Sequence, residues 1–387
     1  MRATITIAIF AVSLAPACDG NGTATPDAGD AADVGSGVLY ETCPVECPSP
    51  PRCERDQIAT CCVCVDRPTR NAGRTECGLM SEYCDEPPVD PVNVTCLKPE
   101  GWPEPPPDSP TLLDVRGIVD VYGTGNPEAG GNITVEFFSM NADQTPSAAP
   151  IASAVATLAA CSDGLLPPIR EDGLEAECCP GPCRELKPDV DACTPTSGDC
   201  RRLWFYQVSG IPSSTPVIAR TSGNPVYWKA LYFYNVFFFE RELEPGGGYV
   251  HYRLKALSVD DWRAIPATAG DFDGIAEGMG GVAGEIRDCD NIKVYNAEVG
   301  VDARWTTFIY FNGEEEKPYP DMSRESTNVD ALYAAMEMAP GPVRVTALAQ
   351  VRDEGIVNLG WWDARIFPGA LTVVTIRGTR PTQVPGR

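Results

Sequence analysis

The sequence predicts an all-β protein in which tandem β-sandwich units follow a disulfide-rich N-terminal region. Three observations predict this fold: 17 cysteines lie mostly in two clusters, 37 prolines and 36 glycines favour turns over long helices, and period-two alternation recurs through the second half of the chain. The length of 387 residues suits two or three domains. The net charge of −24 disfavours nucleic acid as a partner, because the protein repels phosphate.

Residues 1–17 predict a secretory signal peptide. Arg2 gives a positive start, the apolar stretch 3–14 is too short to span a bilayer, and small residues follow it. Ala15-Pro16-Ala17 fits the small-x-small pattern that precedes signal-peptide cleavage. No later stretch is apolar and long enough to predict a transmembrane helix.

The residues before Cys18 resemble a bacterial lipobox, in which a small residue precedes a cysteine that becomes diacylated. The resemblance implies a lipoprotein attached through Cys18 to a membrane of the cell envelope, at the outer membrane or in the periplasm. Residues 18–38 are small and polar, which is typical of a disordered tether. Without Cys18, sixteen cysteines remain, an even number that can pair completely. The alternative is an untethered secreted protein.

Residues 39–109 form the predicted disulfide region, which ends in a proline-rich spacer at 102–110. Export favours disulfides over zinc, even for the C-x2-C pair Cys61 and Cys64. The nine cysteines of the first cluster cannot all pair among themselves, so we expect a bridge that leaves it, with Cys289 as the candidate partner. The disulfide candidates are Cys43, Cys47, Cys53, Cys61, Cys62, Cys64, Cys77, Cys84, Cys96, Cys161, Cys178, Cys179, Cys183, Cys193, Cys200 and Cys289.

Residues 110–272 form the first predicted β-sandwich. Alternation over 111–140 predicts two strands paired as a hairpin. A cysteine-rich insertion, with a short helix near 150–160, is predicted at 148–200. Aromatic and β-branched residues then predict strands from 203 to 257, and alternate side chains of the run 227–239 are expected to fill the core.

Residues 280–380 form the second predicted unit, where strands alternate with turns. Val282, Gly284 and Ile286 are followed by an alternating segment at 297–301 and a proline-glycine turn at 339–341. This order of motifs is similar to the carboxypeptidase regulatory-like domain, also called transthyretin-like, and the first unit shows a weaker version from Val115 to Val135. The resemblance implies small β-sandwiches that usually have no active site and serve as spacers, binding modules or folding aids. The matching residues are Val282, Gly284, Ile286, Asp288, Ala297, Val299, Val301, Ala339, Pro340, Gly341, Val343 and Val345.

Catalytic motifs are hard to assemble from this sequence. His251 is the only histidine, and no G-x-S-x-G is present, so His251 is interpreted as a strand residue. Asp271, Asp273 and Glu277 lack the spacing of a calcium loop and are interpreted as a solvated turn. We therefore predict a protein that is not an enzyme and needs no metal or cofactor. The alternative is a carboxylate-dependent hydrolase of envelope glycans.

Trp361 and Trp362 are the predicted contact residues. Adjacent residues of a strand point to opposite faces, so one tryptophan should be exposed. An exposed tryptophan could contact an envelope protein or glycan. The sequence therefore predicts a non-enzymatic structural or binding module that is attached to a membrane through its N-terminal lipid.

Overall fold

The structure is a computed structural model that describes residues 37–43, 47, 51–74, 91–122, 132–159, 169–171, 174–176, 203–244, 248–313 and 319–384. Residues Ser36–Arg387 form one compact unit. Its elements are mostly β-strands, so the predicted all-β fold is confirmed. The signal peptide, Cys18, almost all of the tether, Cys77, Cys84 and the cysteines between 161 and 200 lie outside the described residues.

The strands and the α-helix have the following bounds. In the first half they are β1 (Val38–Leu39), β2 (Gln57–Thr60), β3 (Val63–Asp66), β4 (Gly73–Arg74), β5 (Leu112–Tyr122), β6 (Ile133–Ser139), β7 (Ala152–Ala159), β8 (Ile169–Glu171), β9 (Leu174–Ala176), β10 (Leu203–Pro212) and β11 (Val217–Gly223). In the second half they are β12 (Trp228–Lys229), β13 (Leu231–Val236), β14 (Tyr249–His251), β15 (Leu254–Ser258), α1 (Val259–Thr268), β16 (Gly280–Arg287), β17 (Val294–Tyr295), β18 (Ala297–Val301), β19 (Thr307–Phe311), β20 (Pro320–Asp321), β21 (Leu332–Met338), β22 (Gly341–Val351), β23 (Gly355–Ile366), β24 (Leu371–Val374) and β25 (Ile376–Arg377).

The strands form three packed layers. The outer layer has the order β1-β23-β22-β18, the middle layer runs β6-β11-β13-β24-β16-β21-β19, and the far layer contains β12-β15-β5-β10. Strand β7 joins the far and middle layers, because it pairs with both β10 and β6. One apolar core lies between the outer and middle layers, and a second lies between the middle and far layers.

The middle layer serves both cores. Strand β13 of the first predicted unit pairs in parallel with β24 of the second, so one sheet continues across the predicted domain boundary. Phe233 faces the core next to the far layer, whereas Tyr234 faces the core next to the outer layer. A strand buried on both faces needs apolar residues at nearly every position, which explains the apolar sequence of β13, whereas Tyr227 at the start of the predicted core run is exposed.

A disulfide-linked hairpin covers the outer layer. Strands β2 and β3 pair with each other, and Ile58, Val63 and Val65 pack on Leu348 of β22. Three disulfides tie this segment together: Cys43–Cys61, Cys47–Cys62 and Cys53–Cys64. Both cysteines of the C-x2-C pair are therefore in disulfides rather than together on zinc. A region with few core-forming residues is thus stapled and packed onto a larger sheet.

The predicted bridge out of the first cysteine cluster is confirmed. Cys96 pairs with Cys289 across a sequence separation of 193 residues. The loop that this bridge closes contains the whole first predicted β unit and only the start of the second. Among the described residues, no helix is both long and apolar enough to cross a membrane.

Several local predictions are wrong. Ala152–Ala159 is strand β7 rather than a helix or the start of an insertion, because pairing on both edges outweighs the helix propensity of alanine. Strands β5 and β6 do not form a hairpin, since β5 pairs with β10 and β6 pairs with β7 and β11. Val38 belongs to β1 rather than to the tether. Helix α1 was not predicted; Ser258 caps it by accepting a hydrogen bond from the Asp261 backbone.

Candidate functional site

Trp361 and Trp362 do point to opposite faces of β23, but both are buried, with exposed fractions of 7% and 4%. The prediction that one of them is exposed is therefore wrong. It assumed a two-layer sandwich with one solvated face, whereas Trp362 faces the core between layers and Trp361 is covered from outside. Neither indole offers a free stacking surface.

On the outer face, Arg344 of β22 covers Trp361. Its guanidinium carbon lies 4.7 Å from the ring centroid of Trp361. The same guanidinium binds both carboxylate oxygens of Asp363, with Nε–Oδ1 at 2.6 Å and Nη2–Oδ2 at 2.8 Å, and it donates to the Cys61 carbonyl at 3.2 Å. Arg344 is thus a neutralised arginine that fixes the hairpin to the sheet.

On the inner face, Arg380 lies over Phe237, which in turn contacts Trp362. The Phe237 ring meets Trp362 edge-on, with centroids 5.7 Å apart, and it stacks on the Phe239 ring at 6.2 Å. The guanidinium carbon of Arg380 lies 4.5 Å from the Phe237 centroid and 5.7 Å from that of Phe239. We call Phe237, Phe239, Trp362 and Arg380 the Arg380 cluster.

A backbone irregularity at Asn235 places the two phenylalanines in this cluster. Asn235 has φ of +60°, which asparagine tolerates better than most residues, and its side chain donates to the Thr375 carbonyl. Tyr234 faces the core next to the outer layer. After Asn235 the side chains again alternate between the two cores, but the pattern is shifted by one residue. As a result Phe237 and Phe239 face Arg380, whereas Phe238 faces the other core.

The C-terminal segment that positions Arg380 is held at three points. Gly378 donates its N–H to the Leu359 carbonyl, and the backbone N–H of Arg380 donates to Gln383 Oε1. The Gln383 side-chain amide donates to the Trp361 carbonyl at 2.6 Å. Gly378 has φ of +54° and lies against the Sγ of Cys96, so a side chain there would collide with the Cys96–Cys289 disulfide.

Arg380 has no acidic partner among the described residues. Its side chain is 7% exposed, and its Nε is buried without a hydrogen-bond acceptor. The nearby carboxylate of Glu242 accepts a hydrogen bond from the Phe239 backbone and forms no ion pair with Arg380. Burial, and then the charge of Arg377, lower the pKa of Arg380 to about 9, so the group is still a cation at neutral pH.

Two half-buried acids of the middle and far layers are paired with cations. Asp120 accepts from Arg253 at 3.0 Å and from Lys255 at 2.9 Å, and these cations hold its pKa below the usual range despite burial. Glu285 pairs with Arg287 at 2.7 Å, and the nearby cations lower the pKa of Glu285 to about 2 although burial opposes this. Asp120 and Glu285 thus have the counter-charges that Arg380 lacks.

Glu298 is a buried acid beneath the disulfide hairpin. It is 7% exposed, and Tyr310 donates to its carboxylate at 3.3 Å. Burial, and then repulsion from Asp66 on β3, raise the pKa of Glu298 to about 8. A carboxyl group can keep its proton when it is buried, so Glu298 avoids an uncompensated charge in a way that an arginine cannot.

The other chemical candidates are not assembled into a site. His251 lies on β14, as interpreted from sequence; its Nε2 is buried without a partner, and burial lowers its pKa. Asp271, Asp273 and Glu277 lie in the loop before β16. Within the described ranges, no group of three or more His, Cys, Asp or Glu residues could hold a metal ion.

Sequence reasoning missed Arg380, although one signal pointed to it. The last 24 residues, 364–387, contain four arginines and no Asp or Glu, in a chain with 54 acidic residues. A basic, acid-free segment in an acidic protein predicts a cation with an unusual environment. The large exposed aromatic residues are also elsewhere than predicted; they include Tyr227, Phe272, Trp305 and Tyr319.

Comparison with known proteins gives no family. No protein-family model matches the sequence, and no curated protein matches it. Among solved structures, the chain is similar to a single mutant of the shaft pilin SpaA from Lactobacillus rhamnosus GG, with a TM-score of 0.17 and 7% identity over 70% of this chain and 98% of the pilin. A double mutant of the same pilin gives 0.16 and 5% over the same shares. These scores are too low to support an argument, so the all-β assignment rests on the strands themselves.

Proposed function

We propose that this chain is a lipoprotein of a bacterial cell envelope, anchored by a lipid at Cys18, which acts as a non-enzymatic structural or binding module. The single observation that carries the proposal is the set of four disulfides among the described residues, which indicates an exported protein. Residues 1–17 would direct export as a signal peptide, and the polar segment 18–38 would serve as the tether. The partner would be an envelope protein or glycan.

The geometry of the described charges supports a passive role. Asp120 and Glu285 are tied into ion pairs, and Arg344 joins two parts of the fold. Such groups stabilise structure rather than exchange protons with a substrate. Arg380 differs from these groups, since it forms no ion pair with a described residue.

One observation favours the alternative of a carboxylate-dependent glycan hydrolase. Glu298 has the raised pKa of a general acid, and the Asp66 carboxylate is near enough to contribute to it. Glu298 lies beneath the hairpin, however, where a polysaccharide would have to displace β3. If the purified protein releases reducing ends from envelope glycans and Glu298→Gln abolishes the release, the non-enzymatic proposal is wrong.

The lipid anchor is tested by metabolic labelling with an alkyne fatty acid in a bacterial host that exports lipoproteins. We expect the wild type to be labelled and to sediment with membranes, whereas Cys18→Ser is unlabelled and released. A wild-type protein that is cleaved before Cys18 and released without label would overturn the anchor in favour of the untethered form. A reduced, cytosolic protein would overturn the whole proposal.

A further inference from the structure

We propose that Arg380 is the binding residue for a carboxylate group of the ligand, at a site beside β23 backed by Phe237 and Phe239. This proposal rests on the binding role suggested above and names the chemical class that the site would take. The observation behind it is a guanidinium, more than nine-tenths buried, whose Nε has no acceptor and which forms no ion pair with a described residue.

The energetics require a counter-charge. Arg380 keeps its proton at neutral pH although burial lowers its pKa to about 9, so burial does not neutralise it there as it neutralises Glu298. An isolated buried cation is strongly disfavoured, and two phenyl faces compensate only part of the lost hydration. The carboxylates of Asp120, Glu285 and Asp363 solve this problem for their own partners, but none of them pairs with Arg380.

The terminal nitrogens of Arg380 are less enclosed than its Nε. Nε is buried without an acceptor, whereas the two Nη atoms form no hydrogen bond within the described chain and are not completely buried. A planar carboxylate can approach the two Nη atoms end-on and accept two parallel hydrogen bonds. Phe237 and Phe239 support the guanidinium from behind and limit its rotation.

A monoanion fits this site better than a doubly charged phosphate. Arg380 is the buried cation here, whereas Arg241, whose guanidinium carbon lies 4.3 Å from the Phe239 ring centroid, is exposed to solvent, and Arg377 makes interactions of its own. A second negative charge would remain uncompensated at a buried position and in a chain of net charge −24. The ligand class is therefore a compound with a single carboxylate at the point of contact, such as a sugar acid of an acidic glycan.

The direct test uses the whole exported chain with 15N-labelled arginine and follows the Nε–H resonances. Sodium acetate, and separately sodium D-glucuronate, replaces sodium chloride at constant ionic strength, and neutral D-glucose is the matched control sugar. We expect the Arg380 resonance to shift in a saturable way with both carboxylates and not with glucose, while that of Arg344 stays fixed. Both resonances are assigned from the variants Arg380→Gln and Arg344→Gln.

Affinity variants complete the test. Arg380→Gln should weaken D-glucuronate binding about 10- to 100-fold, as expected for the loss of a charge-assisted hydrogen-bonded pair. Arg352→Gln removes an exposed arginine from the turn after β22 and should change binding less than about twofold, since surface charges are screened.

The proposal is overturned if neither carboxylate shifts the Arg380 resonance. It is also overturned if Arg380→Gln and Arg352→Gln weaken D-glucuronate binding by the same factor. If Arg380→Gln fails to fold, the Arg380 resonance is assigned from Arg380→Lys, which keeps the charge but lacks Nε, and the wild-type shift still decides the matter. Lipid labelling at Cys18 is measured independently, so a failure of this site is distinguishable from a failure of the proposed lipoprotein.

Discussion

Two arginines lie on opposite faces of the strand that contains Trp361 and Trp362, and their surroundings differ in one respect. Arg344 stacks on Trp361 and binds both oxygens of Asp363. Arg380 stacks on Phe237, which meets Trp362, and has no carboxylate partner in the described chain. Arg344 thus joins two parts of the fold, whereas Arg380 has a charge that can bind a ligand.

The two faces are also fastened by different disulfides. Three bridges within residues 43–64 hold the hairpin over Arg344, and each closes a short loop of 11 to 18 residues. One long-range bridge, Cys96–Cys289, lies against Gly378 near Arg380. The comparison predicts that the Arg380 face depends on a single distant bridge.

The largest effect is expected from the double variant Cys96→Ala/Cys289→Ala. A bridge across 193 residues restricts the unfolded chain strongly, so its removal should cost about 3–5 kcal/mol of unfolding free energy. Urea unfolding measures this value. The Nε resonance of Arg380 should also shift, and that of Arg344 should not. If the Nε resonances of Arg380 and Arg344 shift equally, the Cys96–Cys289 bridge supports both faces of β23, and the Arg380 face does not depend on it more than the Arg344 face.

A smaller effect is expected at Glu298, the buried acid on the same face as Arg344. Its pKa rises from 4.5 in the unfolded chain to about 8 in the fold, so the native state holds an extra proton between these values and stability falls as pH rises through them. Above pH 9, Glu298→Gln should be more stable than wild type by roughly 2–4 kcal/mol, and at pH 4 the two should agree.

Thermal and urea unfolding across this pH range check the prediction, with the exposed Glu104→Gln as the control. Parallel pH profiles for wild type and Glu298→Gln would show that Glu298 is ionised and paired in the fold. In that case burial would not keep Glu298 neutral, and Glu298 and Arg380 would not differ in how they respond to burial.

Much of the fold could be predicted from the sequence because strand character is local. Alternation in residues 111–140 indicates strands, and cysteine parity indicates a bridge from the first cluster to Cys289, which the structure contains. Pairing partners are not local, however. The sequence gives no sign that β5 pairs with β10 rather than β6, or that β7 is a strand at all.

The candidate site was harder to predict because it depends on the number of layers and on one backbone irregularity. The opposite directions of Trp361 and Trp362 follow from strand geometry, but their burial follows from coverage of both faces of the outer layer. The positive φ of Asn235 decides which side Phe237 faces. Arg380 reaches that side only because Gly378 and Gln383 hold the C-terminal segment there.

The contrast between the two arginines is tested most directly by urea unfolding of Asp363→Asn and Arg380→Met in the same anion-poor buffer. Asp363→Asn leaves Arg344 without its charge partner and should cost about 1–2 kcal/mol, whereas Arg380→Met replaces an unpaired cation by an apolar chain of similar length and should cost less than about 1 kcal/mol or increase stability. If Arg380→Met costs as much as Asp363→Asn or more, Arg380 has a partner within the chain, and its charge is not available to a ligand.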